Sequence, residues 1–145
     1  MAGTVLDVAG YSTTPQARKL GLKPGIRFAL LASPPGWTLD RPPEMRSPGA
    51  DTAGASADVI LHFVRAAADI DGALDAAAPR IFPNGALWLA WPRKAAGHVS
   101  DVTENAIRDA ALGRGLVDVK VAAIDDDWSG LKIVWRTENR GGRKP

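Results

Sequence analysis

Apolar positions in this chain fall into short blocks, and their spacing changes from one block to the next. STTPQARKLG reads as a short helix, with Thr14 as N-cap, Pro15 at the first helical position and Gly21 as its stop. IRFALLA, Ile26 to Ala32, is a nearly continuous apolar run bounded by Gly25 and Pro34, the profile of a strand covered on both faces. Ser33 to Ser56 carries Pro34, Pro35, Pro42, Pro43 and Pro48, which exclude a regular element and predict a long loop, partly disordered in its middle. ADVILHFVR, Ala57 to Arg65, is a second apolar strand. AAADIDGALDAAAPRI then places Ala67, Ile70, Leu74 and Ala78 at helical spacing, with Asp69, Asp71 and Asp75 turned to water.

ALWLAW, Ala86 to Trp91, predicts a third buried strand. Asp101-Val102-Thr103-Glu104 has the form of a capping box, opening a helix that carries Val102, Ala106, Ile107 and Ala110 inward and stops at Gly113 or Gly115. Val117 to Ile124 and Leu131 to Thr137 follow as strands. The connection between them, DDDWSG, is too short for a crossover, so they pair antiparallel. Strands alternating with helices predict an α/β fold: a three-layer Rossmann-like sheet of about five strands, mostly parallel, ending in an antiparallel C-terminal hairpin. One domain spans residues 10–137 and a basic flexible tail spans 138–145. In such sheets ligands sit beyond the strand carboxyl ends, so the loops Ser33–Trp37, Arg65–Ala67 and Trp91–Asp101 are expected to converge.

Composition narrows the function classes. At 145 residues, 46% hydrophobic and 23% charged, the chain is an ordinary globular one. It has no cysteine, which excludes disulfides, thiol nucleophiles and thiolate metal sites. No apolar run approaches the roughly 20 residues that span a bilayer, and MAGTVLDVAG does not have the form of a secretory signal. A cytoplasmic location is expected. The net charge of +2 resides at the end of the chain: over residues 136–145, Arg136, Arg140, Arg143 and Lys144 against Glu138 give +3, leaving −1 for the rest. Nucleic-acid binding is therefore not expected of the folded body.

GYSTTPQARKLGLKPG, ADVILHFV, NGALWLAWPRKAAG, TEN and GLVDVKVAAIDDDWSGLKIVWR together resemble a bacterial family, domain-of-unknown-function family three-zero-five-two. The likeness covers most of Gly10 to Arg136 outside the proline loop, and its most specific parts are Trp91 to Lys94 and Val117 to Lys132. It implies no assigned activity, cofactor or catalytic residue. A second likeness is architectural. LKPGIRFALLASPPGW is similar to the opening of class I methyltransferases, RIFPNGALWLAWPRK to their later turn and strand, and the terminal hairpin to their antiparallel ending. Where that family sets repeated glycines against its cofactor, this chain has Ser33-Pro34-Pro35-Gly36, and proline removes a donor and adds bulk. The second strand of that family, with its acidic ribose partner, would fall in the proline loop, where Asp40 or Glu44 could substitute only by accident. The resemblance thus implies a shortened relative of the fold that has lost the methyl-donor site.

The candidate chemistry lies in WPRKAAGHVSDVTEN, Trp91 to Asn105. Arg93 and Lys94, with the amides opening the following helix, are placed to hold a phosphate or carboxylate, against the plainer reading of two solvated cations with stems packed on Trp91. His62, inside a strand, reads as a neutral hydrogen-bonded core histidine. His98 reads as a surface histidine, with general-base work as the sharper alternative. Asp125, Asp126 and Asp127 lack the alternation of a calcium loop and read as a hairpin cap shaped by Ser129 and Gly130, with Asp127 able to bridge to the Arg93 and Lys94 loop. Trp88 and Trp135 belong to the core, whereas Trp37, Trp91 and Trp128 lie at element ends, where rim packing is favoured over ligand contact. Leu131 to Thr137 is a candidate exposed edge for two-fold pairing.

These readings converge on a non-catalytic module that binds a small anionic ligand or a protein partner through Trp37, Trp91, Arg93, Lys94, Thr103, Asn105 and Trp128. No cofactor and no metal is expected, and a homodimer is a candidate assembly. The alternatives are a degenerate S-adenosylmethionine-dependent methyltransferase-like enzyme and, third, a regulatory protein whose basic tail touches nucleic acid.

Overall fold

The computed structural model describes residues 20–22, 26–37 and 56–140. The helix expected to begin at Thr14 therefore lies outside the described residues except for its end. There Leu20 is helical and Gly21 takes φ +79°, a left-handed stop that suits glycine. The middle of the proline loop and the last five residues lie outside them as well. Among the described residues no helix is long and apolar enough to cross a membrane.

The elements run in the order β1 (Phe28–Leu31), β2 (Val59–Phe63), a 3₁₀ turn (Ala67–Asp69), α1 (Ile70–Ile81), β3 (Ala86–Pro92), a 3₁₀ turn (Lys94–Ala96), α2 (Glu104–Leu112), β4 (Leu116–Ala123), β5 (Trp128–Trp135) and a last 3₁₀ turn (Thr137–Asn139). The fold is mixed α/β, with one open five-stranded sheet in the order β1-β2-β3-β5-β4. β1 pairs with β2, and β2 with β3, in parallel; β5 pairs antiparallel with both β3 and β4. The parallel pairing expected for most of the sheet thus holds for its first three strands. Two successive reversals leave β4 running in the same sense as β1, β2 and β3. Four strands consequently deliver their carboxyl ends to one edge of the sheet.

Burial explains why the apolar runs became strands. Ala86 to Trp91 are all buried, as a central strand with both faces covered requires. Alternate residues face opposite ways. Leu87, Leu89 and Trp91 join Ile60, Leu131 and Ile133 beneath the helices, where α1 contributes Ile70, Leu74, Ala77 and Ile81 and α2 contributes Ile107 and Ala111. Trp88 and Ala90 join Phe28, Leu61, Phe63, Ile124 and the Leu20 and Leu22 segment on the opposite face. Trp88 keeps its indole N–H satisfied there by donating to the Leu20 carbonyl at 3.3 Å. Asp71 and Asp75, on the wet side of α1, are bridged by Arg114 at 3.1 and 2.8 Å, which ties α1 to the end of α2.

Three expectations are corrected. Asp101 is not the cap of α2. The N-cap is Thr103, whose Oγ1 accepts from the Ala106 amide at 3.1 Å, while Asp101 Oδ1 accepts from the Ala67 amide at 2.7 Å, at the turn that opens α1. Two short acceptors two residues apart both fit a cap, and a contact 34 residues away assigned them. Ser129 and Gly130 do not shape the hairpin turn, because β5 begins at Trp128 and pairs Ser129 with Trp91. The terminal strand is not an edge either. β5 lies between β3 and β4, which leaves β1 and β4 outermost among the described strands, and β4 carries an irregularity between Asp118 and Lys120 of the kind that blunts an edge. Trp135 is accordingly half-buried, donating to the Ala78 carbonyl at 2.9 Å and meeting Phe82 edge to face at 5.4 Å.

Two tests follow from the packing. A Cβ at Gly85 would lie 2.8 Å from the Ala57 carbonyl oxygen and 3.0 Å from those of Asp58 and Ile81, all backbone atoms that cannot swing aside. Gly85→Ala is expected to cost about 1–3 kcal/mol in urea unfolding. His62 is half-buried on the helix side, its Nδ1–H donating to the Phe63 carbonyl at 3.0 Å. Burial holds the imidazole below its ordinary pKa, outweighing the Phe63 carbonyl and Asp69, which favour the cation. The unfolded chain therefore binds the proton more readily. The stability associated with neutral His62 is present above the unfolded histidine range near ~6.5 and is lost as pH falls through the folded value. His62→Gln is expected to flatten the fall in unfolding free energy on acidification, and an unchanged slope would remove His62 as its source.

Candidate functional site

At the common carboxyl edge the loops are tied together by the β4–β5 turn. Asp125 is its centre. Its Oδ1 accepts from the Asp127 and Trp128 amides at 2.8 and 2.9 Å, capping the turn, and its Oδ2 accepts from Trp37 Nε1 at 2.9 Å. Arg93 binds the same turn from the other side: its amide donates to the Asp127 carbonyl at 2.9 Å and its Nη1 to the Asp126 and Asp125 carbonyls at 3.0 and 3.4 Å. His98 Nε2 meets Asp127 Oδ1 at 3.0 Å, an exposed contact. Asp127 thus reaches the loop after β3, as expected, but its partner there is His98, while Arg93 uses peptide carbonyls.

Aromatic packing completes this junction. Phe63 lies between Trp37 and Trp128, edge to face at 4.9 and 4.8 Å, and the Arg65 guanidinium stands 5.5 Å over the Trp128 ring. Ser100 Oγ donates to the Arg65 carbonyl at 2.9 Å, joining the loop after β3 to the loop after β2. The loops leaving β1, β2 and β3 meet, and Trp37 and Arg93 share Asp125 as a partner.

A cleft of about 290 Å³ opens on the helix side of this edge, lined by Trp91, Lys94, Val102, Thr103, Glu104 and Ser129. Each lining residue has a structural reason to be there. Trp91 and Ser129 face one another across β3 and β5. The Lys94–Ala96 turn follows Pro92 and closes through Gly97, which at φ +88° donates to the Lys94 carbonyl at 2.9 Å. Thr103 and Glu104 begin α2. Lys94 is exposed, and no acidic side chain pairs with it among the described residues. Glu104 is held by Arg108, which also reaches Asp118 Oδ2 at 3.0 Å and Asn105 Oδ1 at 2.6 Å.

The seven residues singled out from sequence therefore divide by position. Trp91, Lys94 and Thr103 line the cleft. Trp37, Arg93 and Trp128 belong to the junction and hold the loops, and Asn105 is turned to Arg108. Val102, Glu104 and Ser129 are lining residues that sequence reasoning missed. Glu104 was visible as a helix-start residue and as an acid near His98 in sequence, and Ser129 needed the β3–β5 register. Among the described residues no three His, Asp or Glu side chains come together in an arrangement able to hold a metal.

Family comparison adds to this geometry. The model of the family described as "Protein of unknown function (DUF3052)" matches residues 48–137, more than half of the chain. The chain belongs to this family. The matched span takes in β2 to β5, the junction apart from the Trp37 loop, and the whole cleft lining. No curated protein matches the chain.

Asp125→Ala removes the acceptor of two turn amides and of the Trp37 indole at once. It is expected to lower stability by about 1–3 kcal/mol and to change the Trp37 emission, measured by urea titration followed in fluorescence. Asp126→Ala, at an exposed side chain that makes no contact of this kind among the described residues, serves as the control.

Proposed function

We propose that this protein is a non-catalytic binding module that takes a small anionic ligand in the cleft at the strand carboxyl ends. The observation that carries this reading is the lining itself. An apolar floor of Trp91 and Val102 stands beside the ammonium of Lys94, which no acidic side chain among the described residues pairs, with Thr103 and Ser129 at the same opening. Ligand sites commonly combine an apolar wall with a few polar groups that orient the guest. The junction holds the surrounding loops in place before any ligand arrives, which lowers the ordering cost of binding. Arg93 acts in this reading as a brace for the hairpin and Lys94 as the contact. The same reading takes the fold as a three-layer Rossmann-like one and the protein as cytoplasmic. A protein partner or a second copy of the chain at the same edge is the macromolecular version of the proposal.

One observation favours a second reading, a degenerate S-adenosylmethionine-dependent transferase. β5 is inserted antiparallel between β3 and β4, similar to the antiparallel ending of class I methyltransferases. The loop after β1 weighs against it: Ser33-Pro34-Pro35-Gly36 folds into a turn in which the Trp37 amide donates to the Pro34 carbonyl at 3.0 Å, and offers no glycine-rich cradle.

A thermal-shift screen with inorganic phosphate, nucleotides, sugar phosphates, carboxylates, S-adenosylmethionine and its demethylated product separates the two. A ligand at about 100-fold its dissociation constant adds roughly 2.7 kcal/mol of stability. The anion reading expects a shift from an anionic compound that Lys94→Ala abolishes while the variant's own melting temperature stays near that of the parent chain. A shift indifferent to Lys94→Ala places the ligand elsewhere, and a shift confined to the methyl donor and its product favours the transferase.

A further inference from the structure

Glu104 is out of place in a cleft that admits anions. It lines the opening with Lys94, and a free carboxylate there would oppose the charge that the lysine attracts. It is not free. Arg108, one turn further along α2, donates Nη2 to Glu104 Oε2, Nη1 to Asn105 Oδ1 at 2.6 Å and Nε to Asp118 Oδ2 at 3.0 Å. Three edges of one guanidinium are thus used, and Asp118, on β4 and outside the cleft lining, anchors it from a second element. The Arg108 and Asp118 side chains are 29% and 21% exposed, so this grip is sheltered more than an ordinary surface pair.

We propose that Arg108 sets the charge selectivity of the cleft: by binding Glu104 it masks the one carboxylate among the described lining residues and leaves Lys94 to determine the sign of the ligand. Arg108 is a positioning residue that does not itself line the opening. The inference rests on the anion reading of the cleft and adds a determinant remote from the lysine. It also accounts for Asn105, which serves the grip on Arg108. A lysine at position 108 would carry the charge but not the three-way geometry.

The test uses the full chain and inorganic phosphate as probe, titrated calorimetrically at low ionic strength with the parent protein, R108Q, E104Q and the double variant R108Q/E104Q. Exposing the Glu104 charge is expected to weaken phosphate binding about tenfold in R108Q, the size of one uncompensated charge roughly 10 Å away near a protein surface. Removing that charge as well is expected to return the double variant to within about twofold of the parent protein, because Glu104, Arg108 and Asp118 then sum to the same charge as in the parent although the ion pairs are gone. The deficit of R108Q is also expected to shrink as salt is raised. If Arg108 only supports the fold, the double variant stays as weak as R108Q, and the proposal is overturned. Unchanged affinity in R108Q overturns it too. Failure of the parent protein to bind phosphate while another anion shifts its melting temperature moves the titration to that anion, with the same outcomes deciding. Failure to bind any anion removes the anion reading itself and this inference with it.

Discussion

The antiparallel insertion of β5 between β3 and β4 is the constraint on which the rest of the arrangement depends. Without it β4 would not share the direction of the first three strands, and the turn after β4 would not arrive at the edge where the other loops end. With it, Asp125 is brought within hydrogen-bonding distance of Trp37, 88 residues earlier, and the carbonyls of the same turn come within reach of Arg93. The register of that insertion also opposes Ser129 to Trp91, which builds one wall of the cleft.

The carboxyl edge serves two purposes on its two sides. On the side of Phe63 it is a closed junction in which indoles, a guanidinium and a carboxylate satisfy one another, so the charges and rings found there are occupied with holding loops. On the helix side it is open, and Lys94 stands without an acidic partner among the described residues. This division explains how neighbouring residues such as Arg93 and Lys94 come to differ in role. Arg93 is held by the carbonyls of the β4–β5 turn, whereas Lys94 begins the 3₁₀ turn that follows and lines the cleft.

The ion pairs follow the same economy of position. Arg114 spans Asp71 and Asp75 and couples the two helices, whereas Arg108 couples α2 to β4 and binds a residue of the cleft. Both arginines are on α2 or just after it, six residues apart, yet one joins two helices and the other joins α2 to β4 beside the cleft. Exposed pairs of the first kind add little to stability individually.

Much of the fold was legible in the chain itself. The unbroken run Ala86 to Trp91, the helical spacing of Ile70, Leu74 and Ala78, and the short link before Leu131 each report a local choice, because burial period and turn length are properties of neighbouring residues. The sequence alone likewise indicated that loops after β1, β2 and β3 would meet, and it singled out Trp91, Lys94 and Thr103. It determined neither the cap of α2 nor the neighbours of β5 nor the loss of Arg93 to a brace. Asp101 was drawn away by the Ala67 amide, β5 was enclosed by strands on both sides, and Arg93 was taken up by carbonyls more than thirty residues further on. Each of these is settled by a donor or a strand distant in the chain, and no local pattern records which of several distant groups will arrive first at an unsatisfied backbone or charge. Local spacing could choose the elements; only their packing could decide which side chains were left free to bind.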